Sequence, residues 1–247
     1  GKTAGFTLPM LERLLSGQRA APRQARALVL TPTRELAAQV EESVRTYGKY
    51  VKLSSAVIFG GVNINPQIQR LERGADILVA TPGRLLDLLQ QGAIDLKKVE
   101  ILVLDEADRM LDMGFIPDIE RICKMVPFTR QTLFFSATMP PEIQRITDTF
   151  LHNPARIEIA RQSTTAETIT QYLVASSGHA AEKRETLRRL MRDATDVKNG
   201  IIFCNRKSDV QILLKSLLKH GFSVAALHGD MDQRARMIAL EGFKNGT

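Results

Sequence analysis

Two short groups of residues have the types and spacing for handling phosphate. Gly1-Lys2-Thr3 has the form of the end of a G-x-x-x-x-G-K-[ST] loop, and the helix-like stretch Ala4–Ser16 follows it. A glycine there lets backbone N–H groups approach a phosphate, the lysine reaches the β and γ phosphates, and the hydroxyl ligates Mg2+. Further on, the apolar run Ile101-Leu102-Val103-Leu104 ends in Asp105-Glu106-Ala107-Asp108. Open α/β sheets bind ligands at the carboxyl ends of their strands. Asp105 in that position would hold Mg2+ through its hydration shell. Glu106, one residue on, could polarise an attacking water as a general base. Taken singly, each group has a plain structural reading: a chain terminus for the first, an acidic cap and first helical turn for the second. A Lys-Thr ending upstream of an Asp-Glu pair shifts the balance towards nucleotide chemistry.

Such residues need a parallel sheet to hold them, and the chain has the pattern of one. Apolar runs recur at Ala27–Leu30, Ala56–Phe59, Ile77–Ala80, Ile101–Leu104, Thr132–Phe135 and Arg156–Ile159. Continuous apolarity, rather than alternation, suits strands covered by helices on both faces. Between the runs, Thr33–Tyr47 carries Leu36, Val40 and Val44 on one helical face, and Pro82–Leu89 and Pro140–Phe150 each open with a proline suited to a first helical turn. The segment Ala160–Thr168 is polar, lacks apolar periodicity and reads as a linker. The alternation then restarts, with strands expected at Ile169–Ala175, Gly200–Cys204 and Ser223–Leu227 and helices at Ala181–Arg192, Lys207–Lys219 and Asp232–Lys244. The expected class is α/β, with two parallel-sheet lobes in tandem: residues 1–159, then 169–247 as a second, incomplete lobe.

Composition narrows the field. Of 247 residues, 44% are hydrophobic and 25% charged, as in ordinary globular chains. No apolar run approaches the ~18 residues of a membrane span. Cys123 and Cys204 stand far apart without a Cys/His cluster, which argues against a disulfide framework or zinc site and makes a cytoplasmic location the default. The net charge of +7 and pI near 9.6 are compatible with a polyanionic partner. There is neither an initiator Met nor a signal-peptide pattern, and a piece of a longer protein is expected.

The string D-E-A-D at 105–108 resembles the name-giving motif of the DEAD-box ATP-dependent RNA helicases, and further motifs follow in that family's order. Pro32-Thr33-Arg34-Glu35-Leu36 is similar to motif Ia, Gly60-Gly61 to the GG element, Thr81-Pro82-Gly83-Arg84 to motif Ib, and Ser136-Ala137-Thr138 to motif III. In the second unit, Ile202-Phe203-Cys204-Asn205-Arg206 resembles motif IV, and His228-Gly229 with Gln233 and Arg236 the element after it. The stretch Gly1–Leu15 and the spacing after Asp108 look most like the bacterial RhlE-type subgroup.

This resemblance implies two RecA-like lobes that close over ATP and RNA and separate short duplexes locally. It implies that Gly1, Lys2 and Thr3 bind ATP and Mg2+, and that Asp105 and Glu106 are the metal-holding and water-activating carboxylates. Asp108, Ser136, Ala137 and Thr138 would couple nucleotide to RNA. Pro32, Thr33, Arg34, Gly60, Gly61, Thr81, Pro82, Gly83 and Arg84 would line the RNA backbone in the first lobe, and Asn205, Arg206, His228, Gly229, Gln233 and Arg236 in the second. Glycine N–H groups and Thr and Arg donors suit phosphate, so sequence specificity should be low. The resemblance also sets the adenine-recognising element before Gly1 and the arginines for the γ-phosphate after Thr247, so the chain alone is expected to turn over ATP poorly. A non-enzymatic RNA-binding protein of the same fold would be expected to have lost some of Lys2, Asp105, Glu106 and Ser136-Ala137-Thr138, and all of them stand.

Overall fold

The computed structural model describes residues 1–158 and 169–246, in two compact units, Gly1–Thr164 and Thr165–Thr247. The expected linker, 160–168, lies outside the described residues.

Unit 1 is built on five strands, β1 (Ala25–Leu30), β2 (Ser55–Ile58), β3 (Ala75–Ala80), β4 (Ile101–Leu104) and β5 (Gln131–Phe134). All pair in parallel, in the order β2-β3-β1-β4-β5. Every residue of β1, β3 and β4 is buried, which explains their unbroken apolar runs. Helices cover both faces. On one face α1 (Lys2–Leu15) and α2 (Arg34–Tyr47) bury Phe6, Met10, Leu14, Val40 and Val44 against Ala27, Val29, Val79 and Val103. On the other, α3 (Asn65–Leu71), α4 (Pro82–Gln90), α5 (Ala107–Asp112), α6 (Ile116–Met125) and α7 (Pro141–Phe150) pack on Leu28, Leu30, Leu78 and Leu102. Alternate residues of one strand therefore serve two cores.

The opposite, amino end of the sheet is tied by buried charge. Arg26 donates to the carbonyls of Leu14 and Ser16 and pairs with Glu100 at 2.8 Å, fixing the end of α1 to β1. Asp76, fully buried, accepts from the N–H groups of Ala20 and Ser54 and from the Ser54 hydroxyl.

Two expectations are corrected here. Residues 156–158 of the expected strand Arg156–Ile159 form no strand, and Ile157 is 86% exposed. In unit 2 the described residues contain three helices, α8 (Ala180–Asp193), α9 (Lys207–Lys219) and α10 (Gln233–Asn245), and no strand. The runs expected as strands there, at 169–175, 200–204 and 223–227, are not strands among the described residues, and the one sheet described lies wholly in unit 1. A strand is defined by its pairing, and the apolar side chains of these runs are not gathered into a core: Phe203 is 91% exposed and Leu173 fully so.

Candidate functional site

The sheet order sets the site. From β1 the chain runs towards β2, whereas β3 leads across to β4 and on to β5, so a crevice opens at the carboxyl ends of β1 and β4. All the first-unit motifs leave the sheet on this edge: Thr31–Arg34 after β1, Phe59–Gly61 after β2, Thr81–Arg84 after β3, Asp105–Glu106 after β4 and Phe135–Thr138 after β5. Backbone bonds run on past the strands, from Thr81 N–H to Ile58 O (3.1 Å), Thr31 to Ala80 (3.0 Å), Asp105 to Leu30 (3.0 Å) and Phe135 to Leu104 (2.8 Å). The motif residues are thus held in register by the strands themselves.

At the crevice, Asp105 is 4% exposed. Burial pushes its carboxyl above the usual carboxylate value, the charge of Glu106 adds to this, and the Lys2 ammonium pulls the other way. Lys2 therefore lies close enough to be felt, and the two groups singled out in the sequence share this edge. Glu106 has φ 53° and ψ 53°, a left-handed conformation that costs a non-glycine residue roughly 1–2 kcal/mol. It turns the chain sharply from β4 into α5, and the Ala107 N–H is caught by the carbonyl of Phe135 at 3.0 Å. Among the described residues no three His, Cys, Asp or Glu cluster as an all-protein metal cage. The buried carboxylate of Asp105 at the crevice fits Mg2+, which is usually bound through one or two carboxylates together with substrate phosphates.

Asp108 ties α5 to the segment after β5. Its carboxylate accepts from both the N–H and the hydroxyl of Thr138, each at 2.9 Å, and from the Arg109 N–H at 3.1 Å. The Ser136 hydroxyl accepts from the Asp108 N–H and donates to the Thr138 carbonyl at 2.7 Å. Burial alone would raise the Asp108 carboxyl. The bonds from Thr138, Arg109 and Ser136 outweigh it and hold the group below the usual value. Motif residues 28 and 30 positions apart in sequence form one hydrogen-bonded unit.

On the other half of the edge, Thr33 caps α2 by accepting from the Leu36 N–H at 3.2 Å, which starts the helix on Arg34. A Cβ at Gly61, where φ is 75°, would overlap the Arg34 guanidinium, so the two motifs touch. Arg84 donates through both terminal nitrogens to the Val62 carbonyl at 3.3 and 3.2 Å. Pro32, Thr81 and Pro82 are buried, whereas Gly60 and Gly83 face open space where a Cβ would sit, so packing does not demand glycine at either.

In unit 2, Arg206 stands at the N-cap of α9 and, like Asn205, is exposed. Arg236 donates to the His228 carbonyl at 3.4 Å, and the His228 Nε2 meets the Gln211 amide at 2.6 Å. Gly229 lies 3.8 Å, measured to a would-be Cβ, from the Lys207 side chain, and Lys207 pairs with Asp230 at 2.6 Å. The Lys207 hydrogen bond and charge hold Asp230 below the usual carboxylate value. Gln233 opens α10 beside Asp232, which caps it through the Ala235 N–H at 2.8 Å. The sequence reading missed Lys207, Gln211 and Asp230, and it missed Gln67 in unit 1. None belongs to a recognisable string, and separations such as the 23 positions from Lys207 to Asp230 carry no local signal.

A five-stranded parallel sheet covered by helices on both faces, with a phosphate-loop ending and an acidic pair at its carboxyl edge, defines a RecA-like α/β protein. Residues 1–146 match the DEAD/DEAH box helicase family and residues 182–247 the helicase conserved C-terminal domain. The chain belongs to the DEAD/DEAH box helicase family. It is 44% identical over its whole length to the DEAD-box ATP-dependent RNA helicase CshA of Streptococcus pneumoniae, covering 46% of that protein. It is 39% identical over its whole length to the ATP-dependent RNA helicase RhlB of Pseudomonas syringae pv. tomato, covering 63%. A crystal structure of a DEAD box protein from the hyperthermophile Methanococcus jannaschii matches 99% of this chain and 64% of that one, with a TM-score of 0.60 and 36% identity. The chain spans about half the length of the CshA relatives it matches.

Proposed function

We propose that this chain is the ATP-handling part, with some of the second lobe, of an ATP-dependent RNA helicase that remodels short RNA duplexes through backbone contacts in the cytoplasm. The observation that carries the reading is the Asp108–Ser136–Thr138 unit. It joins the segment that follows Asp105 and Glu106 to the end of the neighbouring strand, so a change at the nucleotide has a path along the sheet edge.

In this reading Gly1 and Lys2 hold the ATP phosphates, and Thr3 and Asp105 hold Mg2+, which when bound neutralises charge on the phosphates. Glu106 accepts a proton from the attacking water, from a position where the chain turns out of β4. Arg34, Gly61, Thr81 and Arg84 bind the RNA sugar-phosphate backbone from the first unit; Arg206, Gly229 and Arg236 do so from the second. Among the described residues no helix is long and apolar enough to cross a bilayer.

The full-length protein should hydrolyse ATP faster when RNA of unrelated sequences is added. Glu106→Gln keeps the size of the side chain but cannot take a proton, so turnover should fall ~10²-fold or more while ATP and RNA binding persist. RNA binding without RNA-stimulated hydrolysis in the unaltered protein would make it a non-enzymatic binder instead.

A further inference from the structure

Gln67 lies outside every motif of the sequence, yet it is one of the few buried polar side chains on the functional half of unit 1. It sits on α3 at 9% exposure, and both ends of its amide are engaged with backbone. Oε1 accepts from the Phe59 N–H at 3.0 Å, and Nε2 donates to the carbonyls of Phe59 at 3.3 Å and Asn63 at 3.1 Å. One side chain thereby clasps both ends of the segment Phe59–Asn63, which has no helix or strand of its own. Burying an amide is costly unless it is fully paired, and here all of that pairing goes to this one loop.

Two arginines rest on the clasped loop. Gly61 packs against the Arg34 guanidinium so closely that no side chain fits between them. The Val62 carbonyl takes both terminal nitrogens of Arg84. The Arg84 Nε is buried without a hydrogen bond, with Asp87 at 3.8 Å, so the Val62 carbonyl is what orients this guanidinium. The two arginines come from different helices, α2 and α4, and the loop is their common support.

We propose that Gln67 is a positioning residue for RNA binding: it fixes the Phe59–Asn63 loop as a seat that orients Arg34 and Arg84 together. The proposal rests on the reading of those two arginines as phosphate contacts. Held guanidinium groups lose less side-chain entropy on binding than free ones, so a loosened seat weakens binding while both charges remain.

The test uses the full-length protein, a fluorescent single-stranded RNA and a fluorescent ATP analogue, with thermal melting alongside. Gln67→Met keeps the length and removes all three bonds. It should weaken RNA binding about tenfold and make the salt slope shallower by about 0.7 for each phosphate no longer neutralised, leaving affinity for the nucleotide analogue unchanged. In an Arg34→Ala/Arg84→Ala background, adding Gln67→Met should cost less than about twofold more, because the seat then has nothing to hold. Gln67→Asn keeps an amide but is one methylene too short to reach both ends of the loop; it should weaken RNA binding in the unaltered background and by less than about twofold in the Arg34→Ala/Arg84→Ala background. It carries the test if Gln67→Met does not fold. A lower melting temperature with RNA affinity and salt slope at wild-type values would overturn the proposal and leave Gln67 a packing residue. If Arg34→Ala/Arg84→Ala itself binds RNA like the unaltered protein, the RNA reading of the arginines falls first, which is a different result.

Discussion

Asp105 and Asp108 lie within four positions, yet their surroundings push them apart. Asp105 is buried beside another carboxylate and its ionised form is disfavoured, whereas the Asp108 carboxylate collects donors that favour it. The two have opposite effects on stability. A group whose value is lowered by folding stabilises the native state above the unfolded value, near 3.8, and loses that contribution as pH falls through the folded value. A raised value, as at Asp105, does the reverse: ionisation costs stability, and protonation relieves the cost as pH falls. Asp108→Asn should therefore destabilise unit 1 by a constant amount above about pH 5, and the gap to the unaltered chain should close on acidification below 3.8. Urea unfolding at a series of pH values measures this. A gap that widens towards low pH would mean that the bonds from Thr138 and Ser136 do not favour the ionised carboxylate.

At the scale of elements, each strand of the sheet is bound on both sides or closes an edge, and β4 matters doubly because Asp105 hangs from its end. Leu102, fully buried in β4, packs into the core under α4 to α7. Leu102→Ala should cost about 2–5 kcal/mol, seen as a lower urea midpoint with an unchanged slope. The five strands and most helix ends of unit 1 were readable within about two residues. β1, β3 and β4 are buried on both faces and leave unbroken apolar runs, and the outer strands β2 and β5 carry apolar residues though partly exposed. The short helices were not. α3 has seven residues and α5 six, too few to establish a 3.6-residue period, and α5 and α6 are divided by Gly114 at φ 76°. The motif strings told which residues gather at the edge, but not how: Asp108 meeting Thr138, or Gly61 meeting Arg34, depends on parallel strands that set distant loops side by side. Gln67 was invisible for the opposite reason. A glutamine among polar neighbours reads as surface, and only the return of α3 over β2 buries it.

At the scale of the whole molecule, the two units differ sharply in how much they bury. Unit 1 holds two apolar cores, one on each face of its sheet, whereas Leu217 is the single buried hydrophobic residue among those described in unit 2. Heating the chain should melt residues 169–246 first, over a broad range, with the sheet of unit 1 following in a steeper transition. Circular dichroism with calorimetry would resolve the two steps, and one sharp transition would contradict this reading.

The strand order has a further consequence, for how the chain is made. β1 lies at the centre of the sheet, yet its neighbours β3 and β4 begin only at Ala75 and Ile101. A ribosome adds roughly 5–20 residues per second, so the Ala25–Leu30 hexapeptide emerges several seconds before the second of its partners exists. During that interval the nascent chain carries an uncovered apolar ribbon with both edges open, and the helices α1 and α2, which flank it in sequence, are the local structures that can shelter one of its faces. Substitutions that weaken α1 or α2 should therefore lower the yield of soluble protein during synthesis by more than they lower the stability of the finished fold.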